Sequence, residues 1–243
     1  MHKEKKAIDS FNRDVAANDG YLYTTQARLS SIMANRRLTD AALGIVDWRG
    51  KRVIDIGCGD GTYTIELFDA AHPVEIVGID PAREAISLAK QKAGDRPISF
   101  QTLSAYTLPY AMDRFDIAQL RGVLHHVDRP FELLREAMRV ARLVVVIEPN
   151  GYNPILKLIE RFSQYHVEHQ EKSYSPAMLN LWVSMSGGII RAGCYAGLVP
   201  MFCHDNIAKL FKHIEPAIER IPIMNALTCA VYVFLAERTQ GDS

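Results

Sequence analysis

The run Val53-Ile54-Asp55-Ile56-Gly57-Cys58-Gly59-Asp60-Gly61 decides how this chain is read. Val53 to Ile56 read as a buried strand. Three glycines at every second position follow, and Thr62 to Phe68 then carry apolar groups at helical spacing. Glycine tolerates positive φ and lets a ligand or a second backbone come close. The stretch therefore predicts a strand, a tight turn and a helix N-terminus with free N–H groups. Such a turn can cradle a nucleotide-like ligand. Its G-x-G-x-G spacing lacks the Gly-Lys-Ser/Thr of a phosphate loop, and it is not a clean G-x-G-x-x-G dinucleotide fingerprint. Asp55 and Asp60 place carboxylates where they would repel phosphate and attract an ammonium group. That points to a cationic nucleoside without phosphate. The alternative is a strand–turn–helix that serves the fold alone.

Ile76-Val77-Gly78-Ile79-Asp80 is a second apolar strand ending in an acid. It falls about 20 residues beyond the turn, the offset at which an acid meets ribose hydroxyls. With V-I-D-I-G-C-G-D-G and V-G-I-D-P in place, the chain resembles the class I S-adenosylmethionine-dependent methyltransferases of the small-molecule type, from about Lys51 to Glu148. The resemblance implies a Rossmann-like, doubly wound α/β fold. Its sheet would have seven strands, mostly parallel, with helices on both faces. S-adenosylmethionine would be the cofactor and S-adenosylhomocysteine the product. The implied cofactor contacts are Asp55, Gly57, Cys58, Gly59, Asp60 and Gly61 at the turn, Asp80 and Pro81 after the second strand, and Arg121 after the fourth. Relatives often carry Asp-Ala-Glu-x-Leu-Pro where this chain has Ser104-Ala105-Tyr106-Thr107-Leu108-Pro109. Ser104 replaces the acid that meets the adenine amino group, and a hydroxyl still accepts one hydrogen bond. Ala105 and Tyr106 would line the adenine slot. Tyr21 and Tyr23, at the mouth of an N-terminal helical segment, can cover a sulfonium through a ring face or simply pack.

Hydrophobic residues make up 48% of the 243, which suits one domain with a small cap. Along the chain, residues 1–48 read as that cap, 51–148 as the cofactor core, 149–190 as an acceptor-side insert and 191–243 as terminal strands and helix. The 28 basic and 28 acidic residues balance, which gives no electrostatic reason to expect nucleic acid or an anionic membrane as partner. The four cysteines form no C-x-x-C pair, so no zinc site is expected. Their scatter fits reduced thiols in the cytoplasm. The charged start of the chain lacks the pattern of a signal peptide, and no apolar run has the length of a membrane span.

Strands are expected after the second helix at Ile98–Leu103, then at Phe115–Leu120 and Leu143–Ile147, alternating with helices, which implies a parallel sheet. Ligands bind beyond the carboxyl ends of such strands. Later strands are expected at Gly197–Phe202 and Thr228–Ala236, forming an antiparallel end. A helix over Ile207–Glu219 is expected to break or bend at Pro216.

Methyl transfer is a displacement on carbon in which placement supplies much of the acceleration and the cofactor carries the hard chemistry. An O or N acceptor can also need a base. His125 and His126 follow the fourth strand and titrate near neutrality. His125 is preferred, with packing or solvent exposure as the alternative for both. Glu148, Tyr152, His166 and His169 are the candidate acceptor contacts. His166 and His169, three residues apart, can also share a helical face with Glu168 or Glu171, but no third ligand at a recognised spacing supports a metal. Asp55 either orients the turn or bonds its backbone. Glu148 either meets substrate or caps the next loop. Two other functions remain open: a nicotinamide-nucleotide oxidoreductase, and a binding module that keeps the pocket without turnover. The acceptor atom, O, N or C, is not legible.

Overall fold

The computed structural model describes Gly20, residues 28–162 and residues 172–239. Tyr21, Tyr23, His166 and His169 lie outside the described residues.

Helix α1 (Leu29–Ile45) leads into β1 (Arg52–Ile56), α2 (Thr62–Ala71), β2 (Glu75–Asp80), α3 (Arg83–Ala93) and β3 (Ile98–Thr102). Strand β4 (Phe115–Arg121) is followed by a short 3-10 turn (Leu124–His126), α4 (Pro130–Val140) and β5 (Ala141–Pro149). Then come α5 (Pro154–Phe162), α6 (Pro176–Met185), β6 (Gly188–Ala196), α7 (Asp205–Ile218), α8 (Met224–Thr228) and β7 (Val231–Arg238).

The strands form one seven-stranded sheet in the order β3-β2-β1-β4-β5-β7-β6. β1 to β5 run parallel, and β7 lies antiparallel between β5 and β6. The order reverses at β1, so β1 and β4 part company in their onward connections. Such a switch point opens a crevice beyond the strand ends.

Period-two alternation sends successive β5 side chains to opposite faces. Val144 and Val146 join Ile54, Ile56 and Leu120 in a core covered by Leu133, Leu134 and Ala137 of α4 and Leu179 and Val183 of α6. Val145 packs with Trp48, Val53 and Leu67 on the other face, and Ile147 packs with Leu38, Ala41 and Ala42 of α1. Burying each such aliphatic side chain is worth about 1.5–3 kcal/mol, and these two layers fix the sheet between helices.

Three expectations need correction. Strand β6 is Gly188–Ala196, not 197–202. It is an edge strand whose residues 191–193 are exposed, with a register irregularity between Ile190 and Ala192, so it lacks the apolar signature of its neighbours. Gly197, at φ +82, ends it. Strand β7 begins at Val231, because residues 224–228 are helical. Helix α7 runs uninterrupted through Pro216; proline removes one backbone donor there without ending the element. Pro81 lies between the end of β2 and the N-cap residue of α3, Ala82.

Candidate active site

The turn after β1 makes its own hydrogen bonds. The amides of Gly57 and Cys58 both donate to the Ile79 carbonyl, at 2.8 and 3.0 Å, and the Gly61 amide donates to the Cys58 carbonyl at 3.0 Å. The Gly59 amide donates to Asp80 Oδ2 at 3.1 Å. The Thr62 amide donates to Asp60 Oδ1 at 3.2 Å. These donors are therefore not the open nest that grips a pyrophosphate. Of the N–H groups expected to be free at this turn and helix start, those of Gly57, Cys58, Gly59, Gly61 and Thr62 have partners within the chain, which weighs against phosphate independently of the charge of Asp60.

Asp60 does not face a ligand with its carboxylate. Its side chain is 2% exposed and pairs with Lys92 Nζ of α3 at 2.7 Å. The cofactor contact expected of that side chain is corrected: the chain's own ammonium occupies it. The Cys58 thiol also points inward, packed with Ile86, Ala89 and Phe100, and burial pushes its pKa up. Asp55 is buried, accepting from Thr64 Oγ1 at 2.5 Å and from Gln119 Nε2 at 3.2 Å. It ties α2 to β4 beneath the turn rather than reaching past it. Gly57 and Gly61 are needed for close packing. A Cβ on Gly57 would lie 2.5 Å from Val123 Cγ2, and one on Gly61 2.8 Å from Ala89 Cβ.

Asp80 ends β2 beside this turn, half-buried, and its second oxygen accepts from the Ala82 amide at 2.8 Å. Burial, against the opposing amides of Ala82 and Gly59 and with the help of Asp55 and Asp60, pushes its carboxyl up to about 6. Both of these donors are neutral backbone amides. A desolvated carboxylate held this way suits neutral hydroxyl donors on a ligand that carries a positive charge nearby. As an acceptor it therefore fits the ribose diol of an adenosyl sulfonium.

Beyond β3, Ser104 is exposed, and its Oγ accepts from the Tyr106 amide at 3.5 Å. Ala105 and Tyr106 pack against the main core. The Tyr106 ring lies under the Arg129 guanidinium, 4.1 Å from its centroid, so this ring joins the loop after β3 to the start of α4.

Arg121 does not face the crevice. It continues the β4 face that carries Ile117 and Gln119, the face covered by α1 and α2. Its guanidinium stacks 3.5 Å from the centroid of Tyr63 and donates to Thr39 Oγ1 at 2.8 Å and to the Asn35 carbonyl at 3.1 Å. Burial lowers its pKa. Its expected cofactor contact is corrected to a latch holding α1 and α2 on the sheet.

Glu148 is corrected in the same way. Its side chain is fully buried and turned to the neighbouring turn. Oε1 accepts from the amides of Val123 and Leu124, both at 2.8 Å; Oε2 accepts from the amide of His125 at 3.2 Å. His125 Nδ1 lies 2.8 Å from the same Oε2. The His126 ring centroid is 3.8 Å from that of His125, and the His126 amide donates to the Val123 carbonyl at 3.1 Å. The two imidazoles thus belong to the turn that packs on Gly57 through Val123.

Tyr152 is 41% exposed beside Asn150, whose Oδ1 accepts its amide at 3.0 Å. Sequence reasoning missed Asn150 and Asn153. Both are buried and donate to carbonyls near the start of β7, at Ala226, Thr228 and Cys229. Asn153 Oδ1 also accepts the Ile155 amide at 2.9 Å, capping α5. The Asn-x-x-Asn spacing before an amphipathic run was the available signal. Tyr174 was missed as well. Its ring meets Trp182 edge-on at 4.7 Å, and burial, then the charges of Glu148 and Tyr106, raise its phenol. Tyr106, Tyr174 and the Glu148–His125 pair therefore share one end of the sheet.

Comparison with known proteins now bears on this geometry. Residues 54–143 match the methyltransferase domain family. The sheet order and the glycine turn are those of the Rossmann-like fold of solved S-adenosylmethionine-dependent methyltransferases. Among relatives, the 27-O-demethylrifamycin SV methyltransferase of Amycolatopsis mediterranei is 33% identical over 114 residues, 45% of this chain and 42% of that protein. A tRNA U34 carboxymethyltransferase of Methylococcus capsulatus is 29% identical over 166 residues, 65% of this chain and 48% of that protein. The chain thus spans less than half the length of either. The SAM-bound magnesium protoporphyrin IX methyltransferase of Synechocystis shares the fold, with a TM-score of 0.68 at 14% identity over 98% of both chains.

Proposed function

We propose that the protein transfers a methyl group from S-adenosylmethionine to a small-molecule acceptor, with His125 as the base. The observation that carries the reading is the seating of the His125 turn directly on the cofactor turn, with Val123 against Gly57. Asp80 would hold the ribose, and the backbone around Gly57, Gly59 and Ala105 would border the nucleoside. When bound, S-adenosylmethionine supplies an electrophilic methyl on a positively charged sulfur. His125 would receive the acceptor's proton as its nucleophilic atom takes the methyl. General-base assistance of this kind is worth about 10²–10⁴-fold.

The balanced charge of the chain, 28 basic against 28 acidic residues, supports a small acceptor over a polyanion. Tyr106, Tyr174 and Trp182 offer such an acceptor ring faces and edges. A pyridine-nucleotide oxidoreductase is disfavoured because the turn amides are already occupied within the chain.

The test is formation of S-adenosylhomocysteine with a panel of hydroxylated and amine acceptors. His125→Ala should slow turnover about 100-fold or more while cofactor affinity stays within about threefold. Equal turnover in mutant and parent removes His125 as the base.

A further inference from the structure

We propose that Glu148 is the positioning residue of the His125 base, holding the imidazole as the Nδ1–H tautomer so that Nε2 takes the acceptor's proton. The inference rests on the reading of His125 as the base and adds the group that orients it. It also specifies the acceptor: a nucleophile that carries a proton to lose, such as a hydroxyl, rather than a tertiary amine.

Three amide donors, of Val123, Leu124 and His125, and the ring nitrogen His125 Nδ1 converge on the two carboxylate oxygens. An ionised carboxylate can only accept, so the proposal places the hydrogen of this 2.8 Å contact on Nδ1. In a neutral imidazole the lone pair then lies on Nε2. The carboxylate side chain is 0% exposed and the imidazole 10% exposed, so water screens the pair little. Burying a charge is costly, and three backbone hydrogen bonds offset part of that cost. A cap for the turn alone would explain the amides. It would not explain the ring nitrogen on the same oxygen. The arrangement is the orienting half of a base–carboxylate pair, in which the carboxylate fixes the tautomer and favours the imidazolium as it forms.

Among the described residues, groups from several elements act on this pair. Glu148 comes from β5, His126 from the same turn with its ring 3.8 Å away, and Tyr174 from the segment before α6. His126⁺ would oppose a second charge on His125, and Glu148 counters it.

The test uses the full chain labelled with nitrogen-15 histidine, with His125→Ala identifying the His125 signals in long-range proton–nitrogen spectra. Above its titration, His125 should show a protonated Nδ1 and a bare Nε2. In Glu148→Gln, either orientation of the amide sets an NH₂ group against N–H donors. The tautomer should then switch or average, and the titration midpoint should fall by about one pH unit or more. The acid limb of turnover should move to lower pH by the same amount, and Glu148→Asp should restore part of the shift. A wild-type His125 protonated on Nε2, or a midpoint unmoved in Glu148→Gln, overturns the proposal. Should Glu148→Gln fail to fold, the wild-type tautomer decides. The expected tautomer together with full turnover in His125→Ala overturns the base reading and reduces Glu148 to a cap for the turn.

Discussion

Asp80 reaches across the glycine turn to accept the Gly59 amide at 3.1 Å, so the acid that ends β2 and the bend that follows β1 form one unit. Burial pushes that carboxyl up to about 6. Ribose hydroxyls need the deprotonated form as acceptor, so cofactor affinity should fall as pH drops through about 6. Asp80→Asn should bind more weakly and lose this dependence, as titrations at several pH values would show. The same shift has a consequence for folding. The folded pKa lies above the unfolded value, so the native state binds more protons between the two. Asp80's contribution to the stability of the free protein is therefore full below the unfolded pKa and is lost as pH rises through about 6.

Lys92→Met should separate fold from site. It leaves the Asp60 carboxylate buried and without its ammonium, which should cost about 2 kcal/mol in denaturant unfolding. Cofactor affinity should change by less than about threefold, because that carboxylate faces α3. A large loss of affinity with unchanged stability would return Asp60 to the ligand.

Arg121→Ala should loosen α1. It removes a ring stack and two hydrogen bonds to α1, together worth about 2 kcal/mol. Hydrogen exchange should rise over residues 29–45 before it rises in β1 or β4.

Gly57→Ala should fail for two reasons at once: a φ of +78 and a Cβ 2.5 Å from Val123 Cγ2. Strain and overpacking each cost about 1–3 kcal/mol. The displaced turn carries His125, so turnover should suffer more than stability alone explains. Thermal unfolding and turnover measured on the same preparation test this.

Strands β1, β2, β4 and β5 were legible because they are mostly buried on both faces and read as apolar runs bounded by turns. β6 was not, because an edge strand with one paired neighbour and an exposed stretch carries no such run. Asp80 was legible because its place is local: the end of a strand at a set distance from the turn. Asp60, Arg121 and Glu148 were assigned to ligands for the same local reason, but their partners lie far along the chain. Lys92 is on the next helix, Thr39 on the first, and residues 123–125 follow a different strand. A buried charge at a strand end can serve a ligand or the fold, and sequence proximity does not distinguish the two.

Calorimetric titration of the wild-type chain and Asp80→Ala with S-adenosylmethionine addresses the central claim most directly. The wild type should bind one equivalent, and the variant should bind about 5–150-fold more weakly, the loss of 1–3 kcal/mol expected for hydrogen bonds to a charged acceptor. Equal affinity of the two proteins, or no binding to S-adenosylmethionine alongside saturable binding of NAD, would contradict it.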